Sequence, residues 1–389
     1  MSITARTKCV SVSIAMCFLF VFAFSGLSQA KELRYSLGFP QGSAGGETGV
    51  VFADALEEYT DGELSVRLHY LALLSLGDMS EGVRDGIVDI GNVLAPYFPS
   101  EYPHLNMAAE VTMLLALSEK AQGRQGMAYA GAMAEFIMLN CPDCRREFLD
   151  QNQVYFTQGG TPEYQLMCTQ PVRNADELRG KRLRVAGAQW SRWADAFGAT
   201  GVSLGVHEVY EALAQGVVDC TVHSSPELGN FGLDDVVTDI TVNVPGGVFS
   251  GGSVSVNLNT WREFTSEQRK QFIRAAALSA GDITWRFQTR GESDLQDAIE
   301  AGVEVHQPDE ELVEASRKFI EEDLERSAAS YARDGIDDAD EKIDMMRPIV
   351  ERWLDLMDEA EINSGEDLGN IYWEEVFSKI DEDTYGIEE

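Results

Sequence analysis

Residues 82–92 read GVRDGIVDIGN, and residues 212–222 read ALAQGVVDCTV. Each phrase has the form of a helix end, a glycine, two β-branched residues, an aspartate and an apolar strand. Gly86 and Gly216 fall where a helix C-terminus calls for a left-handed residue, a conformation glycine adopts without a Cβ penalty. Ile87-Val88 and Val217-Val218 are then expected to begin strands, with Asp89 and Asp219 at matching points. Two such units, far apart in one chain, predict two α/β lobes of related architecture.

The neighbouring segments extend this pattern. Leu33 to Phe39 alternates like a strand, Gly42 to Gly49 is a glycine-rich loop, and Val50 to Tyr59 places Phe52, Leu56 and Tyr59 on one helical face. Leu64 to Tyr70 is strand-like again, which completes a βαβ unit with a parallel sheet. No Gly-Lys-Ser/Thr closes the glycine-rich loop, so it is a turn at a ligand mouth rather than a phosphate cradle. Downstream, a turn at Asn174–Leu178 leads through Gly180 into a strand at Arg182–Val185. From Thr265 to Val303 there is no proline, and Phe272, Ala275, Ala276, Ile283 and Phe287 recur at helical spacing. Thr265 and Gln268 have capping-box spacing, so a helix long enough to run along both lobes is expected there. The acidic C-terminal third, with Phe319, Leu324, Ile349 and Trp353, reads as further amphipathic helices on the surface.

Composition bounds the function. With 389 residues, 44% of them hydrophobic, the chain can build more than one core. Its first thirty residues stand apart: Arg6 and Lys8 precede an apolar run, Val10 to Leu27, and Ser28-Gln29-Ala30 supplies small residues for cleavage before Lys31. This is the layout of a secretory signal peptide, residues 1–30, and it predicts a soluble periplasmic protein. A net charge of −35 excludes nucleic acid and disfavours anionic lipid surfaces, because both need a basic face. Any anionic ligand approaches against that field and needs a buried, local cation.

Four cysteines remain after the leader: Cys141, Cys144, Cys168 and Cys220. In an oxidising compartment they predict one or two disulfides, with three full connectivities open. Cys141-Pro142-Asp143-Cys144 also admits an exported thiol-disulfide oxidoreductase. A redox CxxC normally follows a strand and opens a helix, whereas this one follows the helix-like stretch Met127–Leu139. The structural staple is therefore the preferred reading. The histidines lack metal-site spacing and no G-x-S-x-G is present, so neither a cofactor nor a catalytic set is expected.

At residues 176–219, DELRGKRLRVAGAQWSRWADAFGATGVSLGVHEVYEALAQGVVD, the chain resembles the substrate-binding proteins of tripartite ATP-independent periplasmic (TRAP) transporters, the DctP-like family. LGDMSEGVRDGIVDIGN in the first half and VNLNTWREF at 256–264 carry the same resemblance. It implies a two-lobed solute-binding fold with a hinge and a lobe-spanning helix. The implied lobes are 31–161 plus 249–288, and 162–248 plus 289–389. It also implies a receptor that closes on a small organic carboxylate and delivers it to a membrane permease, or signals its presence to a membrane sensor.

In that family the arginine of the K-x-R-V strand holds the ligand carboxylate, and Arg184 occupies its place. A planar guanidinium can grip a carboxylate through two parallel hydrogen bonds. Two departures narrow the ligand. Many relatives carry a second arginine upstream, where this chain has Glu163-Tyr164-Gln165, so Tyr164 takes that position. His223 stands where an asparagine often touches the ligand. One arginine with a tyrosine and a histidine favours a monocarboxylate. Trp190 and Trp193 are candidates for an aromatic wall, one of them core; Tyr210 is a candidate for site or core; Glu208 is a helix N-terminal charge.

Overall fold

The structure, a computed structural model, describes residues 30–387. The expected leader, residues 1–30, therefore lies outside the described residues except for Ala30. Among the described residues there are nine strands: β1 (Lys31–Leu37), β2 (Leu64–Tyr70), β3 (Ile90–Gly91), β4 (Gln153–Cys168), β5 (Arg182–Val185), β6 (Thr200–Ser203), β7 (Cys220–His223), β8 (Asp239–Asn257) and β9 (Glu304–His306). They join in the order β2-β1-β3-β8-β4-β7-β5-β6, with β9 added on β8. The parallel triplets β2-β1-β3 and β6-β5-β7 are mirror equivalents in this order. Between them run two long antiparallel strands, β4 and β8, which pass from one lobe to the other. Their register shifts repeatedly between Tyr155 and Leu166, where the ladder bends at the crossing.

The duplicated phrase has a duplicated structural role. In the first lobe, Arg34 donates from its backbone N (2.8 Å) and Nε (3.0 Å) to Asp89 Oδ2, and from Nη2 to Gly86 O at 3.0 Å. In the second, Arg182 makes the same three bonds: N (2.8 Å) and Nε (3.1 Å) to Asp219 Oδ2, and Nη2 to Gly216 O at 2.7 Å. Gly86 and Gly216 are left-handed, at φ 72° and 64°. The strands start later than the sequence implies, at Ile90 and Cys220, because the aspartates are engaged in these clamps. Ile87 and Val217 stay in the preceding turns and are exposed.

The glycine-rich stretch is mostly helix. The first helix runs from Ala44 to Tyr59, with the Ser43 side chain accepting from Gly46 N. Glycine is required for packing there: a Cβ would lie 2.5 Å from the Phe39 ring at Gly45 and 2.3 Å from Pro40 O at Gly46. The long helix spans Ser266–Ala301, opened by the Thr265/Gln268 capping box and closed by Gly302 at φ 108°. Phe272, Ala275 and Ala276 bury in the first lobe's core, and Ala298 buries in the second's.

The C-terminal helices Ala339–Glu359 and Gly365–Glu375 are less superficial than expected. Met346, Trp353, Leu368 and Tyr372 are buried in the same core as Leu33, Phe52 and Ile90. The expected placing of 289–389 in the second lobe thus separates these helices from the core they bury against, since after Arg333 the chain packs on the first lobe. The four cysteines form two disulfides, Cys141–Cys144 and Cys168–Cys220. The second ties β4 to β7 at directly opposed positions. The CxxC follows helical residues but does open a helix, Pro142–Asp150, with the Cys141 Sγ accepting from Cys144 N. Both sulfurs sit in residues of 0% exposure, beyond the reach of a disulfide substrate. No helix of the described residues is long and apolar enough to cross a membrane.

Candidate ligand site

Where β4 and β8 cross between the lobes, a cavity is lined from both sides. Phe39, Leu76, Leu94 and Tyr97 face it from the first lobe, and Arg184, His223, Glu227 and Phe231 from the second. The crossing strands contribute Gly159, Gly160, Tyr164, Phe249, Gly251 and Gly252, and the long helix contributes Ile283 and Phe287. The two glycine pairs allow close approach. A Cβ at Gly160 would sit 2.0 Å from Gly126 O, and one at Gly252 would sit 2.3 Å from Val93 O. The cavity offers about 60 Å³ to water centres, and one water needs roughly 10–15 Å³ on that measure, so the fit is to a compact solute. Its walls are mainly aromatic and aliphatic, with few polar groups.

Arg184 is the one Lys or Arg among the lining residues, and it is 1% exposed. Strand β5 is buried at Leu183, Arg184 and Val185, so the sheet itself holds this cation out of water. Its Nε donates to Leu204 O at 3.0 Å and its Nη2 to Tyr97 Oη at 3.3 Å, while Nη1 has no partner. A desolvated guanidinium with a free N–H is strongly disposed to an anionic acceptor. Tyr97 also accepts from Val206 N at 3.0 Å, so one tyrosine of the first lobe bridges two groups of the second.

The structure brings Tyr164 and His223 to the same cavity. Tyr164 stacks on Trp190 (4.5 Å, 27°), lies parallel to Phe249 (6.1 Å, 6°) and tilts against His223 (5.5 Å). Burial raises its hydroxyl well above the ordinary tyrosine value, against the pull of Arg184, so it stays a neutral donor. Both ring nitrogens of His223 are buried without partners. Burial first, and Arg184 second, push His223 well below the usual histidine range, so it is neutral at pH 7.

Trp190 stands behind Tyr164, fixed by its indole N–H to Gly246 O at 3.0 Å. It lines a second pocket of about 410 Å³, which shares Tyr97, Ala186 and Phe249 with the first and adds Gln189, Arg192 and Tyr331. Trp193 is core, donating to Ser316 Oγ at 3.1 Å. The structure places Tyr210 outside the cavity, packed on the core formed by Val209, Leu213 and Ile240. Glu208 caps its helix through Gly205 N at 2.9 Å.

Several lining residues carried no sequence signal. Tyr97 and Phe249 come from segments distant in sequence from Arg184. Glu227 follows Ser-Ser-Pro and reads as an ordinary first-turn helix acid, yet it is buried. Burial raises its carboxyl to about 7, the Asn230 hydrogen bond and Arg184 oppose that, and Asp294 adds to it. At the cleft edge, Arg192 bonds both Glu110 (2.6 Å) and Asp323 (2.7 Å), and Ser327 and Tyr331 also donate to Glu110. Away from the cleft, Asp239, Glu304 and His306 gather on β8 and β9, where His306 Nε2 lies 2.7 Å from Asp239 Oδ1.

A family model, DctP, described as bacterial extracellular solute-binding protein family 7, matches residues 39–330. The chain belongs to that family. The sialic acid-binding periplasmic protein SiaP of Vibrio cholerae is 23% identical over 317 residues, 76% of this chain and 89% of its own length. An uncharacterised protein of Haemophilus influenzae is 28% identical over 148 residues, 36% of this chain and 44% of its own length. Among solved structures, a marine-metagenome TRAP solute-binding protein specific for aromatic acid ligands, holding 3-hydroxybenzoate, has a TM-score of 0.69. It is 18% identical, covering 84% of this chain and 99% of that one. A TRAP periplasmic solute-binding protein from Bordetella bronchiseptica with bound mandelate has a TM-score of 0.68 at 20% identity, covering 83% and 99%. The two-lobed receptor fold is therefore shared. This family consists of extracytoplasmic receptors for small organic acids that work with membrane permease components, not of enzymes.

Proposed function

We propose that this receptor captures a small organic monocarboxylate between its lobes and delivers it to the membrane permease of a TRAP transporter. In this reading the leader is cleaved after Ala30 and the mature protein works in the periplasm. The observation that carries the ligand class is Arg184: a single buried cation with a free Nη1 in an otherwise aromatic and aliphatic cavity. One guanidinium neutralises one carboxylate. A second carboxylate in the same cavity meets no second Lys or Arg, and an unpaired buried charge is strongly disfavoured.

Arg184 anchors the carboxylate. Tyr164, neutral and stacked on Trp190, forms the flat wall beside it, and His223 supplies a neutral ring that can donate or accept. Trp190 supports Tyr164 rather than touching the solute in the inner cavity. Tyr210 has no part in this arrangement. Aromatic lining favours a ligand with an apolar or aromatic body, in keeping with relatives that hold 3-hydroxybenzoate and mandelate.

A thermal-shift screen tests the class. Benzoate, 3-hydroxybenzoate, mandelate and pyroglutamate are set against succinate, phthalate and neutral sugars. Binding to the folded state alone raises the apparent melting temperature with ligand concentration. The expected hits are monocarboxylates. A panel in which dicarboxylates or neutral sugars alone stabilise the protein refutes the reading.

A further inference from the structure

The cavity that holds Arg184 also holds a carboxyl group, Glu227, on the short helix Pro226–Asn230. Glu227 is 4% exposed. Among the described residues no Lys, Arg or His lies within ion-pair distance of it, and Asn230 Nδ2, at 3.2 Å from Oε2, is the one side-chain donor to it. Against its burial, the charged form is favoured by the Asn230 hydrogen bond and then by the field of Arg184.

We propose that Glu227 takes up a proton from solvent as the organic anion enters, so that the closed cavity holds one positive and one negative charge. This rests on the reading of Arg184 as the carboxylate anchor. Without ligand, Arg184 is the cation that favours ionised Glu227. Once a carboxylate pairs with Arg184, its negative charge offsets the field of Arg184 at Glu227, and this moves Glu227 toward the protonated acid. Glu227 starts at about 7, so a rise caused by the ligand shifts its titration across neutral pH.

The other groups facing Glu227 do not take its place. Tyr164 of β4 and His223 of β7 are both held neutral there, Tyr164 by a strongly raised and His223 by a strongly lowered value. Tyr97 approaches from the first lobe and is already engaged by Arg184 and Val206. Asp294, on the long helix beside Gly229, is raised to about 6, chiefly by burial, and lies outside the cavity lining. Its neighbour Arg290 offsets it and donates to Gly42 O.

Proton uptake makes affinity fall as pH rises, by at most tenfold per unit, through the interval between the free and bound values of Glu227. The test is calorimetric titration of the mature protein with 3-hydroxybenzoate, mandelate, benzoate and pyroglutamate at pH 6 to 9. Each titration is run in two buffers of different ionisation enthalpy. The wild type is expected to absorb a substantial fraction of one proton per bound anion near pH 7.5 and to lose affinity above it. Glu227→Gln, close in shape to the protonated acid, is expected to absorb none and to keep the wild type's pH 6 affinity up to pH 9.

A wild-type titration with no buffer-dependent enthalpy and no pH slope overturns the proposal without needing any variant to fold. It also falls if Glu227→Gln, folded by circular dichroism, retains the slope, since Asp294 or His223 then carries the proton. Loss of binding at pH 6 in folded Glu227→Gln overturns it as well, because the carboxyl then acts as an anion or as a hydrogen-bond donor the amide cannot replace. If none of the four anions binds at any pH, the carboxylate reading of Arg184 fails, and the proton linkage with it. Binding of one with a flat pH profile leaves the anchor intact and removes only Glu227.

Discussion

Truncating Arg184 to alanine should separate ligand recognition from folding. The guanidinium is 1% exposed, so a carboxylate bound to it, as proposed, is desolvated as well. Removing one side of such a pair costs about 2–5 kcal/mol, or roughly thirty- to several-thousand-fold in affinity. Were the arginine solvated, the same truncation would cost about 0–1 kcal/mol, less than about sixfold, so burial decides the size of the effect. Stability should move the other way or not at all. In the ligand-free protein the hydrogen bonds of Arg184 go only to Leu204 O and Tyr97, with Glu227 the one carboxylate of its cavity, so the desolvation penalty that its deletion relieves offsets the attraction that is lost. Arg184→Lys keeps the charge but loses the planar fork, and it should fall between alanine and wild type. Arg182→Ala, two residues back, breaks the surface clamp to Asp219 and should lower stability by at most about 1 kcal/mol, with affinity within about twofold. Calorimetric titration of the three variants with the best monocarboxylate from the thermal-shift screen reads all of this. Unchanged affinity in Arg184→Ala refutes the anchor, and equal losses in Arg182→Ala and Arg184→Ala refute the claim that position on the strand matters.

Other consequences can be checked directly. Thiol titration of denatured mature protein should count no free thiols, and Cys168→Ala with Cys220→Ala should lower unfolding free energy by up to about 4 kcal/mol, given the 52-residue separation and a chain-entropy model. An insulin-reduction assay should show no turnover, because Cys141 and Cys144 are both buried. Gly281→Ala should destabilise by about 1–3 kcal/mol despite alanine's better helix propensity, worth about 1 kcal/mol, since its Cβ would lie 2.2 Å from Gly369 N and 2.5 Å from Gly365 O; urea unfolding measures the balance. His223 is neutral when folded and gains a proton when unfolded, so its contribution to stability is lost as pH falls below about 6.5, at no more than about 1.4 kcal/mol per unit. His223→Gln should flatten the decline in melting temperature between pH 6.5 and 5.

What the sequence disclosed follows from how local each signal is. The long helix was legible to its N-terminal cap, because Thr265 and Gln268 act within a turn of their own backbone. The duplicated Gly-x-x-Asp phrase disclosed two related lobes, but its arginine partners, Arg34 and Arg182, sit on other strands and left the strand starts misplaced. The burial of Arg184 at the cavity had no signal beyond the family resemblance, since nothing in K-R-L-R-V separates a buried arginine from the clamped Arg182 two residues before it. Tyr97, Phe249 and Glu227 were illegible for a different reason. Each becomes a cavity residue only when β4 and β8 carry the chain across, and burial of a helix-start glutamate has no local signature. The C-terminal helices failed similarly, because their amphipathic pattern fixes a buried face but not which lobe receives it.

The helix Ser266–Ala301 has a mechanical consequence. At a rise of 1.5 Å per residue it is a rod about 54 Å long, embedded at one end in each lobe. The cleft cannot widen without bowing this rod or letting a lobe slip along it. Its two glycines mark where slip is easiest: Gly281 lies bare against the backbone of Gly365 and Gly369, and Gly291 against Pro162, Ser225 and Pro226. Bowing is resisted by an unbroken ladder of hydrogen bonds, so the rod acts as a leaf spring laid across the mouth. Because it is rooted in both cores, a movement of one jaw is passed to the other along a single rod.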